Sequence, residues 1–154
     1  MVYIGIDPGR YGGYAAINVT ESAIEAETHI WDDEKFIEWL KNKNGKPVNI
    51  CLDAVHAFPG DNANGTRGAT STFNFGKSAG FIEGVIQTLG MPYQRVDPRK
   101  WKKEFSLDSD KQKSIDTCKH LFPGVSLLPS DRARKDSDGM AEALLMAEYA
   151  RRTM

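Results

Sequence analysis

The sequence has little of what marks several common classes of protein. It contains only two cysteines, Cys51 and Cys118, whose spacing suits neither a disulfide framework nor a metal site. No segment approaches the roughly 18 consecutive apolar residues of a membrane-spanning helix. The first residues also lack the basic segment and apolar core of a secretory signal. We therefore expect a cytoplasmic protein without a membrane segment.

A large net charge is absent as well. The 20 Lys and Arg residues nearly balance the 21 Asp and Glu residues, and a net charge of −1 argues against a nucleic-acid partner. The distribution is uneven, however, because residues 95–119 contain eight basic and five acidic side chains. Such a run forms either a solvated charged surface or a basic face beside an acidic pocket, and the composition leaves both interpretations open.

The hydrophobic pattern predicts an α/β fold. A run of apolar residues ends at Asp7, and the Gly12-Gly13 link predicts that residues 14–19 return as a hairpin, with a third strand over 23–31. After a predicted helix over 34–43, residues 47–54 form another buried strand. The helical crossover favours parallel pairing of this strand with the first.

The second half of the sequence predicts mostly helices. Residues 55–74 have almost no periodicity, and we predict a functional loop there, followed by a helix over 75–89. A short strand over 93–96 and a short basic helix over 99–105 come next. Asp108 or Ser109 is predicted to cap a helix that ends near Leu121, and a last helix covers about 136–152.

Four carboxylates occupy positions that could bring them together. Asp7 and Asp53 each end a predicted strand, and parallel pairing would place both at one edge of the sheet. Asp138 and Glu142 stand four residues apart, on one face of the last helix. Each has a plain alternative, because Asp7 could cap the Pro8-Gly9 turn and acidic residues are favoured at helix N-termini.

Convergence of these four side chains would suit a divalent cation. Mg²⁺ and Mn²⁺ prefer oxygen ligands, and two such ions about 4 Å apart support phosphodiester hydrolysis.

Three glycines stand at four-residue spacing in the predicted helix over 75–89. They require a reason, since each costs up to ~1 kcal/mol of helix stability relative to alanine. Close approach of another helix, within the fold or across a dimer axis, would explain Gly76, Gly80 and Gly84.

Several motifs together resemble one family. In chain order they are IGIDPGRYGG, LDAVHAFPG, STFNFGKSAGFIEGV, DPRKWKK and KDSDGMAEALLMAEYARR. They are similar to the RuvC-type Holliday junction resolvases, particularly the phage and plastid-like members, of the ribonuclease H-like superfamily. The resemblance covers nearly the whole chain. It implies a single RuvC-like nuclease domain over residues 1–154, working in the cytoplasm, or in the host cytoplasm if the protein is phage-encoded.

The resemblance also implies a structure and an activity. The fold would be a mixed five-stranded sheet, with its first three strands antiparallel, flanked by helices. The protein would be an endonuclease that cuts four-way (Holliday) DNA junctions by paired symmetric nicks. It would use two Mg²⁺ ions per site, with Mn²⁺ as a substitute. The implied metal ligands and catalytic residues are Asp7, Asp53, Asp138 and Glu142.

The resemblance also implies roles for residues outside this set of four acids. The helix with Gly76, Gly80 and Gly84 would form the interface of a homodimer, since two sites must cut two symmetry-related strands. Phe58 and Phe73 would stack on bases opened at the junction centre, although a core role for Phe73 remains an alternative. The basic residues expected to neutralise DNA phosphates are Arg99, Lys100, Lys102, Lys103, Lys111 and Lys113.

Two acids depart from the family pattern. Asp53 stands where similar sequences usually carry Glu, and Glu142 stands where bacterial relatives tend to carry Asp. The shorter Asp53 either draws the metals closer to its strand or reduces activity. Two alternatives therefore stay open: another ribonuclease H-like nuclease that acts on branched DNA or RNA–DNA hybrid, and a junction-binding protein with weak catalysis.

Overall fold

A computed structural model describes residues 1–54 and 68–154 of the chain. Within these residues, strands and helices follow one another much as the hydrophobic pattern predicts. In chain order they are β1 (Val2–Asp7), β2 (Gly13–Val19), β3 (Ile24–Ile30), α1 (Asp33–Lys41), β4 (Val48–Asp53), α2 (Ala69–Thr88), β5 (Tyr93–Val96), α3 (Pro98–Glu104), α4 (Lys111–Leu121) and α5 (Asp138–Thr153). None of these helices is both long enough and apolar enough to cross a membrane.

The strands form one mixed sheet in the order β3-β2-β1-β4-β5. β1, β2 and β3 pair antiparallel, whereas β1 with β4 and β4 with β5 pair parallel. This confirms the predicted five-stranded mixed sheet with its first three strands antiparallel. In the β1–β4 register, Ile6 faces Leu52, so Asp7 and Asp53 follow at the same edge of the sheet.

Side chains alternate between two hydrophobic cores on opposite faces of the sheet. Ile4 and Ile6 of β1 point to the core that contains α1 and α2, and both are fully buried. Ala15 of β2 and Cys51 of β4 point to the other core, where they pack with α5 and with Trp101 of α3. A strand alternates its side chains between faces, so β1 supports both cores at once.

The last helix lies unusually close to β1 because two glycines leave room for it. A Cβ atom at Gly5 would be 2.0 Å from the carbonyl oxygen of Ala143 and 2.5 Å from the backbone nitrogen of Ala147. A Cβ atom at Gly139 would be 2.1 Å from the carbonyl oxygen of Tyr11. The backbones of α5, β1 and the β1–β2 turn are therefore in direct contact.

Two local predictions are wrong. Helix α2 begins at Ala69 rather than near residue 75. The sequence pattern missed its first turns because they consist of a polar Ser/Thr/Asn segment with weak helix propensity. The N-cap of α4 is Asp110, whose carboxylate accepts a hydrogen bond from the backbone nitrogen of Gln112 at 3.0 Å. Asp108 accepts instead from the backbone of Asp110 and from Lys113.

The packing at Gly5 gives a first prediction. Gly5→Ala should destabilise the protein by about 1–3 kcal/mol or more, because the new methyl group meets backbone atoms of α5 that cannot rotate away. Gly124→Ala is the matched control, since a Cβ atom there meets nothing within 4 Å. Urea denaturation of both variants measures the difference. Equal stability of the two variants would contradict the proposed contact between β1 and α5.

Candidate active site

Three separate segments bring acidic side chains to one edge of the sheet. Asp7 ends β1 and Asp53 ends the adjacent parallel strand β4. Asp138 begins α5, directly after the N-cap residue Ser137, whose hydroxyl accepts a hydrogen bond from the backbone nitrogen of Met140 at 3.2 Å. Glu142 lies one turn further along α5 and is only 5% exposed. The packing of α5 on β1 sets this arrangement.

The electrostatics show that these carboxyl groups interact. Burial raises the pKa of Asp7 well above its usual value, and Glu142, Asp53 and Asp138 raise it further. Burial also raises the pKa of Asp53 to about 6, with a contribution from Glu142. Burial and the neighbouring acids thus disfavour ionisation of Asp7 and Asp53, which nearby positive charge would favour. We call Asp7, Asp53, Asp138 and Glu142 the acidic cluster.

Two lysines supply positive charge to the acidic cluster. The ammonium of Lys111, in the first turn of α4, lies 3.0 Å from Glu142 Oε2 and 3.3 Å from Asp138 Oδ2. The ammonium of Lys102, in α3, lies 3.5 Å from Glu142 Oε1. Partial burial opposes the charged form of Lys111, but Glu142, Asp7 and Asp138 outweigh this effect and raise its pKa. Two of the six predicted phosphate-binding residues are therefore ion-paired within the cluster.

The side chains of the acidic cluster are not arranged as a metal-binding site in this structure. Among residues 1–54 and 68–154, no three Asp, Glu, His or Cys side chains are arranged to hold one metal ion. Lys111 bridges the two acids of α5 instead. The cation ligands predicted from the sequence are thus neighbours, while their role as ligands remains a prediction.

Two buried side chains contact the cluster without having been predicted to do so. Trp101 is 1% exposed and packs in the core, and its indole nitrogen also donates to Asp53 Oδ1 at 3.4 Å. Ser114 is fully buried and its hydroxyl donates to Glu142 Oε1 at 3.2 Å. Trp101 could have been noticed from its position before Lys102 in the DPRKWKK motif. Ser114 carries no signal in the sequence.

The structure also gives the environment of other predicted site residues. Arg99, Lys102 and Lys103 of α3 line a shallow cleft that continues to residues 106–109. Phe73, in the first turns of α2, is 70% exposed, which argues against the alternative core role. Phe58 lies outside the described residues. The two remaining basic residues are Lys100, which is exposed, and Lys113, which pairs with Asp108.

Asp136 differs from its acidic neighbours, although it stands only two residues before Asp138. Its carboxylate pairs with Lys119 of α4 at 2.5 Å. The structure therefore offers a nearby acid outside the cluster, which makes Asp136 a suitable control for substitutions within it.

The mutual repulsion of the cluster gives a second prediction. In EDTA, Asp7→Asn should raise the free energy of unfolding by about 0.5–2 kcal/mol, because it removes a desolvated charge that faces three other acids. A carboxyl group whose pKa is raised by folding costs stability as the pH rises from the unfolded-state pKa towards the folded-state pKa. The gain should therefore be larger at about pH 8 than at about pH 4.

Chemical denaturation of wild type, Asp7→Asn and Asp136→Asn at both pH values measures this effect. Asp136→Asn should give no gain, since it removes a charge that is already paired with Lys119. A gain from Asp136→Asn as large as that from Asp7→Asn would show that general surface charge, and not the cluster, sets the effect.

Comparison with known proteins identifies the fold. No family model matches the sequence, and no curated protein is significantly similar to it. A structure of T. thermophilus RuvC in complex with a Holliday junction substrate aligns with a TM-score of 0.62 and 17% identity, over 99% of this chain and 97% of that one. Another structure of Thermus thermophilus RuvC aligns with a TM-score of 0.58 and 16% sequence identity. That alignment covers 99% of this chain and 96% of the other. The chain therefore has the RuvC fold over nearly its whole length, as its motifs predicted.

Proposed function

We propose that this protein is a structure-selective endonuclease that resolves four-way DNA junctions by paired symmetric nicks. The observation that carries the proposal is the acidic cluster, in which three segments distant in sequence meet at one sheet edge. The RuvC fold supports it, since one structure with this fold is a complex with a Holliday junction substrate. The acids and the fold point to the same chemistry.

The acidic cluster would hold the divalent cations, two per site. Its donors are all carboxylate oxygens, which suit Mg²⁺ or Mn²⁺, and burial beside other acids raises the pKa of Asp7 and of Asp53, so a bound cation would favour their ionised forms. When bound, two such ions activate a water molecule and stabilise the leaving oxygen of a phosphodiester. Asp7, Asp53, Asp138 and Glu142 would be the ligands and catalytic residues.

The remaining contacts of the cluster are properties of the chain itself. The indole of Trp101 and the hydroxyl of Ser114 orient Asp53 and Glu142 by one hydrogen bond each. Lys111 has a side chain that is 55% exposed, so its ammonium can leave the acids for a phosphate oxygen when DNA arrives. Lys102 stays beside Glu142 and adds positive charge next to the phosphate that is cut.

The surface around the cluster would bind branched DNA. Basic side chains of α3 and α4 neutralise phosphates in a manner that does not depend on sequence. Phe73, exposed on α2, stacks on unpaired bases, as does Phe58. The phosphate-binding residues are Arg99, Lys100, Lys102, Lys103, Lys111 and Lys113.

The proposed active form is a homodimer of one nuclease domain over residues 1–154, in the cytoplasm. The glycines of α2 support this interface, because Cβ atoms at Gly76, Gly80 and Gly84 would meet nothing within 4 Å in the single chain. Phe81 and Val85 line an apolar groove beside Gly80 and Gly84. A partner helix could therefore approach the backbone of α2 closely.

A second candidate function is junction binding with weak catalysis. The observation in its favour is Lys111, which bridges Asp138 and Glu142 at a place where a cation would otherwise bind. The short Asp53 side chain favours it too. Cleavage assays separate the candidates.

Cleavage of a mobile four-way junction with strand mapping tests the proposal. Wild type with Mg²⁺ or Mn²⁺ should make paired nicks at symmetric positions in two strands. Asp7→Asn should abolish cleavage but leave junction affinity within about threefold, because Asp7 is half-buried and the basic side chains, not the acids, neutralise phosphates. Asp136→Asn should cut like wild type.

Other outcomes decide against the proposal. Binding without nicks at any concentration of either metal would favour the junction-binding protein. Preferential cutting of a flap or an RNA–DNA hybrid in the same assay would favour another ribonuclease H-like nuclease. Equal loss of binding and cleavage in Asp7→Asn would make Asp7 a structural residue.

The dimer has its own test. Gly80→Gln should convert the protein to a monomer without unfolding it, because the new side chain has open space in the single chain but blocks close approach of a second helix. Gly124→Gln, which also has open space, should stay dimeric. Light scattering after size exclusion gives the mass. A monomeric wild type, or a dimeric Gly80→Gln variant, would rule out this interface.

A further inference from the structure

The turn between β1 and β2 carries an exposed aromatic side chain for which neither the fold nor the acidic cluster gives a reason. Tyr11 is 75% exposed, more than any other large apolar side chain in the part of the chain that the structure describes. Leaving an aromatic ring in water gains no burial energy for folding. Exposed tyrosines of this kind are enriched where proteins contact their partners.

The backbone that carries Tyr11 is held rigidly. The carbonyl oxygen of Tyr11 lies against Gly139, and a Cβ atom at Gly139 would be 2.1 Å from this oxygen. Within the turn, the backbone nitrogen of Gly12 donates to the carbonyl oxygen of Gly9 at 3.0 Å, and the carbonyl oxygen of Gly12 accepts from the backbone nitrogen of Trp31 at 3.2 Å. A ring on a fixed backbone loses little entropy when it binds, so the turn is pre-organised for contact.

The turn lies at the rim of the acidic cluster. Tyr11 follows Asp7 by four residues, and Gly139, which its backbone touches, directly follows Asp138. The ring of Phe75 lies beside Gly9, 3.5 Å from where a Cβ atom would be, so the first turns of α2 border the same turn. A nucleotide next to a phosphate in the cluster would therefore be within reach of Tyr11.

Arg10 adds a charge to this aromatic surface. Its guanidinium lies 5.5 Å from the centroid of the Tyr11 ring, and its side chain is exposed. None of the ion pairs among residues 1–54 and 68–154 involves Arg10. The pair thus offers an aromatic ring and an unneutralised cation side by side, which matches the base and the phosphate of one nucleotide.

We infer that Arg10 and Tyr11 form a binding site for the nucleotide next to the cut phosphate, with the Tyr11 ring stacked on its base and the Arg10 guanidinium on its backbone. The inference rests on the proposed function, because it needs a branched DNA whose bases are open near the cluster. It explains why a rigid turn presents an aromatic ring to water beside the acids.

The test uses a four-way junction with 2-aminopurine next to the mapped cleavage site, bound in Ca²⁺. Stacking on Tyr11 should quench the 2-aminopurine fluorescence in wild type and in Tyr11→Phe. Tyr11→Ala should restore the fluorescence and weaken affinity by about 5- to 100-fold. Arg10→Ala should weaken affinity and reduce the slope of log affinity against log salt by about one.

Ile24→Ala is the matched control, since Ile24 is 61% exposed on β3 and belongs to neither site. All three positions are exposed, and melting curves should show that each of the four variants folds. Unchanged affinity and unchanged quenching in Tyr11→Ala, with wild type still cutting junctions, would overturn this inference alone. Failure of wild type to bind junction DNA would overturn the proposed function and this inference together.

Discussion

Direct backbone contact between α5 and β1 determines where the acidic side chains and the β1–β2 turn lie. At Gly5 the helix touches the strand through backbone atoms, and at Gly139 it touches the β1–β2 turn in the same way. These contacts fix the first two turns of α5 against the end of β1. As a result Asp138 and Glu142 face Asp7, and the turn that carries Tyr11 is held at their side. The backbone contacts of α5 therefore determine the positions of both the acidic cluster and the exposed tyrosine.

The electrostatics of the cluster lower the stability of the folded chain, as a site built for cation binding under the proposed function would. Burial and the neighbouring acids raise the pKa of Asp7 and of Asp53, which destabilises the folded chain at neutral pH, and Lys111 and Lys102 offset this only in part. A structure selected for stability alone would replace one of the acids with a neutral residue. Under the proposed function the same lysines would also contact DNA, because an ammonium group that pairs with an acid can pair with a phosphate instead.

The sequence predicted the parts of this arrangement that depend on periodicity. Alternating apolar residues before Asp7 and Asp53, with a helix between the strands, were enough to place both acids at one sheet edge. The pairing of Lys111 with Glu142 and the hydrogen bond from Ser114 could not be predicted, because they depend on how α4 packs against α5. The start of α2 was missed because its first turn has weak helix propensity and no side-chain cap.

Under the proposed function, the four carboxylates from three segments act together as one site for divalent cations. Titration with Mn²⁺, followed by electron paramagnetic resonance, tests it most directly, since bound and free Mn²⁺ give different signals. Wild type should bind about two ions per chain, Glu142→Gln should bind them much more weakly, and Asp136→Asn should bind them as wild type does. Binding by Glu142→Gln as tight as by wild type, or no binding by wild type, would contradict it.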